Sequence, residues 1–195
     1  APFAEGGKMD PASQVKLAIM LDQGKVTDAN RSGCWSTCHH DLKSMPDMPG
    51  APVTKYLPQS RTEIAMDSSG KRGGWDKKKS PAELEQMLKD GVFLDLIRWK
   101  SNGEVEDGYV LGERVTTGGQ GAEVAATQAD GTWTVVLSRK LVSDKPGDVS
   151  LTPGKTYTIG FAIHDDHSLA RFHHVSVEYS LGLDAADAAI NVVKR

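Results

Sequence analysis

The sequence contains no long hydrophobic run and only two cysteines in 195 residues. A helix that crosses a bilayer needs about 20 consecutive apolar residues. No stretch approaches that length, so we expect no direct membrane insertion of this chain. Neither sign of charge dominates, since 23 basic and 26 acidic residues leave a formal net charge of −3. Without a broad basic field, we expect no binding to nucleic acid.

The length of the chain limits the number of domains, and its first residues indicate how the N-terminus arose. A chain of 195 residues is long enough to bury a substantial core and lies within the size range of one domain. We therefore predict a single domain over residues 1–195. The opening residues, Ala-Pro-Phe-Ala-Glu, lack a charged and then apolar signal region, which indicates an N-terminus that has already been processed.

Most apolar residues alternate with polar ones, which is the pattern of strands with one buried face. The alternating segments are residues 15–21, 133–141, 157–163 and 175–183, and residues 92–99 form an apolar run typical of a strand buried on both faces. Turn dipeptides such as Asn102-Gly103, Asp130-Gly131 and Pro146-Gly147 separate these runs. The pattern predicts a mainly β fold, an antiparallel β-sandwich.

One helix is well signalled near the middle of the chain. Ser80 can cap it, Pro81 suits its first turn, Glu83 completes a capping box, and Gly91 ends it. Residues 184–195 are predicted to add a second short helix. The polar tract between residues 46 and 79 is predicted to be a long surface loop that covers a bound group.

Both cysteines lie in the run Cys34-Trp35-Ser36-Thr37-Cys38-His39. Covalent attachment of haem c needs two thiols, which add to the two vinyl groups of the porphyrin, and an adjacent imidazole that binds the iron. The usual motif has two residues between the cysteines and this one has three. We interpret it as a variant site for one covalently bound haem c.

Two other interpretations of the cysteines are open. Cys34 and Cys38 could form a small disulfide loop, which would leave His39 without a role. Structural zinc would need a second pair of ligands, such as His164 and His167.

An electron-transfer haem usually has a second strong axial ligand. Strict alternation along residues 173–183 would place His173 on the same face as Val175, Val177, Tyr179, Leu181 and Leu183, and therefore in the core. His173 is thus the predicted sixth ligand and Met87 the main alternative, although packing explains Met87 more simply. Met45 and Met48 are weaker candidates. Arg139 and Arg171 are candidate partners for the haem propionates, and salt bridges within the protein explain them equally well.

With these residues in view, the sequence resembles the haem-binding domain shared by the γ subunits of ethylbenzene, dimethyl sulfide and selenate-reducing molybdoenzymes. A c-type cytochrome branch, often joined to a membrane-bound quinol-oxidising cytochrome, belongs to the same family. The resembling stretches are Cys34 to Pro46, Asp95-Leu96-Ile97-Arg98-Trp99, Trp133 to Arg139, Gly160 to Ile163 and Arg171 to Ser176.

The resemblance implies a β-sandwich with a few helices. In the γ subunits a methionine and a lysine hold a non-covalent haem b, and His173 occupies the place that corresponds to the lysine. The cysteine motif departs from the γ subunits toward the c-type branch.

Motif and resemblance together predict a periplasmic monohaem cytochrome c that is exported before its haem is attached. It would not be an enzyme. It would carry electrons between a membrane-bound quinol dehydrogenase and a periplasmic reductase or cytochrome. A haem-based sensor or gas-binding module is the alternative.

Overall fold

The structure, a computed structural model, describes residues 15–26, 29, 80–111, 114–164 and 174–193. Its elements are β1 (Lys16–Asp22), α1 (Pro81–Lys89), β2 (Leu94–Lys100), β3 (Val105–Val110), β4 (Arg114–Val115), β5 (Glu123–Ala129), β6 (Thr132–Ser138), β7 (Thr156–His164), β8 (His174–Val175), β9 (Tyr179–Leu183) and β10 (Ile190–Val192). Among these residues, eight strands form one sheet in the order β10-β9-β7-β1-β2-β3-β4, with β8 also paired to β7, and β5 and β6 form a separate hairpin. The mainly β prediction is confirmed.

The predicted helix is confirmed with its caps. The Glu83 backbone N–H donates to Ser80 Oγ at 3.3 Å, and the Ser80 N–H donates back to Glu83 Oε2 at 2.7 Å. These two bonds complete a capping box, and Gly91 follows the helix with a φ of 77°. The apolar side of α1 packs on the core through Leu84, Met87 and Leu88. No helix in the described part of the chain is long and apolar enough to cross a membrane.

The large sheet carries apolar side chains on both of its faces. One face, here the Leu21 face, includes a cluster with Leu21, Phe93, Tyr157 and Ile159. The opposite side, here the Ala18 face, includes a smaller cluster of Ala18, Val26, Ala29, Leu94, Leu96, Val110 and Ala162. Strand β2 lies between the two clusters with four buried residues in succession, as the apolar run predicted.

The hairpin of β5 and β6 contacts the Leu21 face. Its turn is Asp130-Gly131, with both φ angles positive at 50° and 74°, as a tight two-residue hairpin requires. Trp133 on β6 meets Trp99 on β2 edge to face, with ring centroids 5.1 Å apart. Strand β6 ends at Ser138, so the prediction that Leu141 continues the buried series is wrong, and Leu141 is exposed.

The predicted continuous strand over residues 175–183 is also wrong. Ala162 pairs with Val175, and Ile159 pairs with Tyr179. Two residues of β7, 160 and 161, therefore lie opposite three, residues 176–178, which is a β-bulge. Ser176 bridges the irregular ladder because its Oγ accepts from the Phe161 N–H at 2.9 Å.

The end of the described chain forms a strand where a short helix was predicted. Strand β10 pairs with β9 in parallel, which makes this one pair an exception to the antiparallel prediction. The Asp184 N–H donates to the Val192 carbonyl at 2.8 Å, and the Ala189 N–H donates to Ser180 Oγ at 2.7 Å. The edge of β9 presents backbone N–H and C=O groups that residues 190–192 can pair with. Because this pairing satisfies their backbone hydrogen bonds, these residues form a strand instead of a helix.

Candidate functional site

The residues of the predicted haem motif lie outside the described residues. This applies to Cys34, Cys38 and His39, and to the candidates His173 and Arg171. The ligand assignments for these residues therefore stay predictions. Cys34 follows the buried Ala29 by five residues, and His173 directly precedes His174 of β8.

The bulge removes the argument that placed His173 in the core. Cross-strand partners share a face, so Val175 lies with Ala162 on the Ala18 face, whereas Tyr179 lies with Ile159 on the Leu21 face. The assumption of one uninterrupted face over residues 173–183 is wrong, because the extra residue of the bulge reverses the alternation. Val177, inside the bulge, is exposed.

Met87, the alternative ligand, is half-buried on α1 and packs against the apolar cluster of the Leu21 face. A second methionine, Met20, was not singled out from the sequence and lies on the Ala18 face. It is directly opposite Gly160 in the sheet. A side chain added at Gly160 would meet no atom within 4 Å, so the surface of the described residues is open there.

Arg139 is the candidate propionate partner that the structure describes. Its Nη1 donates to Asp95 Oδ2 at 2.8 Å, and its Nη2 donates to the Val149 carbonyl at 3.4 Å. The Arg139 side chain is 7% exposed and that of Asp95 is 0% exposed. Arg139 thus forms a buried ion pair within the protein, and its propionate role stays a prediction.

Asp95 is one of three acidic side chains that converge beneath this ion pair. Asp95, Asp107 and Asp148 each place one carboxylate oxygen within 4.8 Å of the others. Two neighbouring strands and one loop position them: Asp95 lies on β2, Asp107 on β3, and Asp148 in the segment after β6. Asp95 pairs with Tyr109, so Asp107 is its diagonal neighbour on the Leu21 face.

Burial and the charge of Asp148 raise the pKa values of Asp95 and Asp107. Burial is the main cause at Asp95 and raises its pKa to about 6, against the opposing attraction of Arg139 and the Val149 N–H. At Asp107, burial and then the charge of Asp148 raise the pKa. The Gly121 N–H opposes this rise by its proximity, but its geometry is too poor for a hydrogen bond.

Sequence reasoning did not single out the acidic site, although two signals indicated the buried pair of Asp95 and Arg139. Asp95 interrupts a run that is buried on both faces, and Arg139 breaks the alternation at the end of β6. An acidic residue in one apolar run and a basic residue in another indicate a buried ion pair, because neither charge is stable in a core alone. Asp107 had no such signal, since the short strand Val-Glu-Asp-Gly-Tyr-Val does not alternate clearly.

Comparisons with known proteins find one family model and two cytochromes that are similar to this chain. Residues 104–176 match the family model described as ethylbenzene dehydrogenase. The chain is 43% identical over 188 residues to cytochrome c-552 of Stutzerimonas stutzeri, covering 94% of this chain and 55% of that protein. It is 29% identical over 186 residues to cytochrome c-551 of Rhodocyclus tenuis, covering 95% of this chain and 57% of that protein.

The chain thus spans about half the length of the curated relatives that it matches. No solved structure matches it. The match over residues 104–176 and the likeness to the two cytochromes agree with the c-type branch that the sequence resembles.

Proposed function

We propose that this chain is a monohaem c-type cytochrome domain that carries single electrons. The observation that carries this proposal is the Cys34–His39 motif in a chain 43% identical to a protein named cytochrome c-552. The chemistry of the donor set fits the group: Cys34 and Cys38 supply two thiols, and His39 supplies an imidazole next to them. When bound, the haem supplies a centre that accepts and releases one electron.

The Ala18 face is the surface we propose for the haem. Small residues surround Met20 there, with Ala18 opposite Ala162 and Met20 opposite Gly160. Small side chains let a flat aromatic ring approach a sheet closely, and apolar ones exclude water and so influence the reduction potential. Ala29, which belongs to the cluster of this face, precedes Cys34 by five residues in the sequence, and Val175 of β8, which packs on the same cluster, follows His173 by two.

His173 supplies the sixth ligand in this proposal, and Met87 has a packing role on the opposite face. An exported, periplasmic location follows from the haem c chemistry. The electron donor would be a membrane-bound quinol dehydrogenase, and the acceptor a periplasmic reductase or cytochrome. The contact with each would be small and transient, as is usual for redox encounters.

Mass spectrometry of the denatured protein tests the covalent attachment. We expect a gain equal to one haem in the protein matured with its haem-attachment machinery. Replacement of both cysteines, Cys34→Ser with Cys38→Ser, should remove that gain. A colourless wild-type protein with free or mutually oxidised thiols would contradict the proposal.

Absorption spectra test the sixth ligand and the function together. We expect His173→Ala to convert the iron from low spin to high spin and to open it to carbon monoxide, while Met87→Leu leaves the spectrum unchanged. Rapid carbon monoxide binding by the wild-type protein would instead favour a gas-binding module. The opposite behaviour of the two variants would assign the ligand to Met87.

A third variant tests the haem-facing surface. Gly160→Leu fills open space on the Ala18 face, so we expect it to alter the haem absorption and the reduction potential without loss of folding. Ala125→Leu, on the exposed side of the separate hairpin, is the matched control and should alter neither. Identical spectra and potentials for both variants would contradict the placement of the haem on this face.

A further inference from the structure

The acidic side chains beneath Arg139 form a site that is separate from the proposed haem surface. Asp95, Asp107 and Asp148 are 0%, 7% and 9% exposed. Among the described residues, the guanidinium of Arg139 is the cation that forms an ion pair with this cluster, through Asp95. Three carboxylates and one guanidinium leave two negative charges without compensation in the interior, which costs several kcal/mol per ion unless a counter-charge is present.

In Asp95 and in Asp148, one carboxylate oxygen accepts hydrogen bonds and the other accepts none. Asp95 Oδ2 accepts from Arg139 and from the Val149 N–H at 2.7 Å. Asp148 Oδ2 accepts from Ser143 Oγ at 2.6 Å and from the Gln120 N–H at 2.9 Å. Asp95 Oδ1 and Asp148 Oδ1 are buried without a hydrogen-bond partner. Outer partners of this kind orient the ligands of a metal ion.

Asp107 provides an independent indication of a ligand. Its side chain is more than nine-tenths buried, and neither of its carboxylate oxygens accepts a hydrogen bond. Asp107 Oδ1 and Asp148 Oδ1 both lie next to Gly119, at the place where a Cβ on that residue would stand. The free oxygens of Asp107 and Asp148 therefore lie together in the space that the absence of a side chain at Gly119 provides.

Gln120, whose backbone N–H binds Asp148 Oδ2, follows Gly119 directly, and both polar atoms of its side-chain amide are also buried without a partner. An amide oxygen is a ligand of the same hard class as a carboxylate oxygen.

From this geometry we propose that Asp95, Asp107 and Asp148 bind a divalent cation, and that the cation is Ca²⁺. All three ligand groups offer oxygen, which suits a hard cation rather than zinc or copper. Oxygen atoms within 4.8 Å of one another can share one ion with bonds of about 2.3–2.6 Å. A charge of +2 balances the two uncompensated negative charges.

The bound ion would join parts of the chain that are distant in sequence. Asp95 and Asp107 belong to the large sheet, and Asp148 belongs to the segment that follows the hairpin of β5 and β6. The ion therefore acts as a clamp between the segment that follows the hairpin and the Leu21 face. This role does not depend on the proposed electron transfer.

Thermal unfolding of the haem-loaded protein in EDTA and in CaCl₂ tests the proposal. At a free Ca²⁺ concentration 100-fold above Kd, ligand linkage predicts a rise in Tm of about 5–10 °C. MgCl₂ should produce a smaller shift, because Mg²⁺ requires shorter bonds and near-ideal octahedral geometry. Equilibrium dialysis with Ca²⁺ should give one bound ion per chain.

Two variants separate a cation site from a purely structural cluster. Asp107→Asn removes a charge at constant size and should abolish the Ca²⁺-dependent rise in Tm, whereas Asp144→Asn, an exposed acid of the same segment, should retain it. An equal Tm in EDTA and in 10 mM CaCl₂ for the wild-type protein would overturn the proposal. So would a Ca²⁺ response that persists in Asp107→Asn, or an absence of stoichiometric Ca²⁺ in the wild-type protein by dialysis.

Discussion

Removing the guanidinium of Arg139 should destabilise the fold strongly, because it leaves the Asp95 carboxylate without its cation. Arg139→Met retains the length and much of the apolar stem of the side chain but removes the 2.8 Å contact of Nη1 with Asp95 Oδ2. Two unit charges about 4 Å apart attract each other by roughly 4 kcal/mol at an effective dielectric constant of about 20. Breaking a buried pair by removing one partner costs about 3–5 kcal/mol, so the two magnitudes agree.

The assay is urea unfolding at pH 7, monitored by the fluorescence of the tryptophans. We expect Arg139→Met to lower the free energy of unfolding by about 3–5 kcal/mol. The matched control is Lys89→Met, which breaks a pair with Glu85 whose side chains are 63% and 66% exposed; because water screens an exposed pair, this variant should leave the urea midpoint almost unchanged.

A loss of less than about 1 kcal/mol for Arg139→Met would refute the assignment of Arg139 to this ion pair. A double variant, Asp95→Leu with Arg139→Met, distinguishes the pair from simple packing, since replacement of both charges by apolar groups is often neutral or stabilising. We therefore expect the double variant to be more stable than Arg139→Met alone.

Three further predictions follow from the described residues. In EDTA, the free energy of unfolding should fall by about 3 kcal/mol as pH rises from 3.8 through 6. The reason is that Asp95, with its raised pKa, keeps its proton in the folded state over this range, whereas the unfolded state loses it. Urea titrations in which stability rises steadily across this window would contradict the prediction. Ser80→Ala should cost about 1 kcal/mol by removing the N-cap of α1, and an unchanged urea midpoint would argue against the capping box. Gly119→Ala should lower the free energy of unfolding by about 1–3 kcal/mol, because its Cβ would overlap the Asp107 carboxylate. Gly160→Ala places its Cβ in open space and should change the stability little. Equal Tm values for the two variants would refute this reasoning.

Local interactions made parts of this structure predictable from the sequence. Helix α1 depends on bonds between residues three apart, which Ser80 and Glu83 form by themselves. The Asp130-Gly131 turn depends on backbone angles that these two residues adopt readily. Strands β1, β2, β6 and β7 follow from alternation or continuity of apolar residues, which burial on one or both faces produces.

Features that depend on distant partners were not predictable in this way. The bulge opposite residues 160 and 161 changes which face of the sheet the alternating side chains after Val175 occupy. Only the register with β7 reveals this change. Strand β10 contains the β-branched residues Ile190 and Val192, which favour a strand, but so short a segment is held extended only by its pairing with the edge of β9.

The same difference between local and long-range interactions separates the haem motif from the acidic site. The sequence by itself predicted a haem c site at Cys34, Cys38 and His39, because two thiols and an imidazole lie within six residues of one another. Only the tertiary structure decided that Asp95, Asp107 and Asp148 meet, since 53 residues separate the first from the last. Sequence patterns report which side chains are buried, but the sheet pairing determines which buried charges share a space.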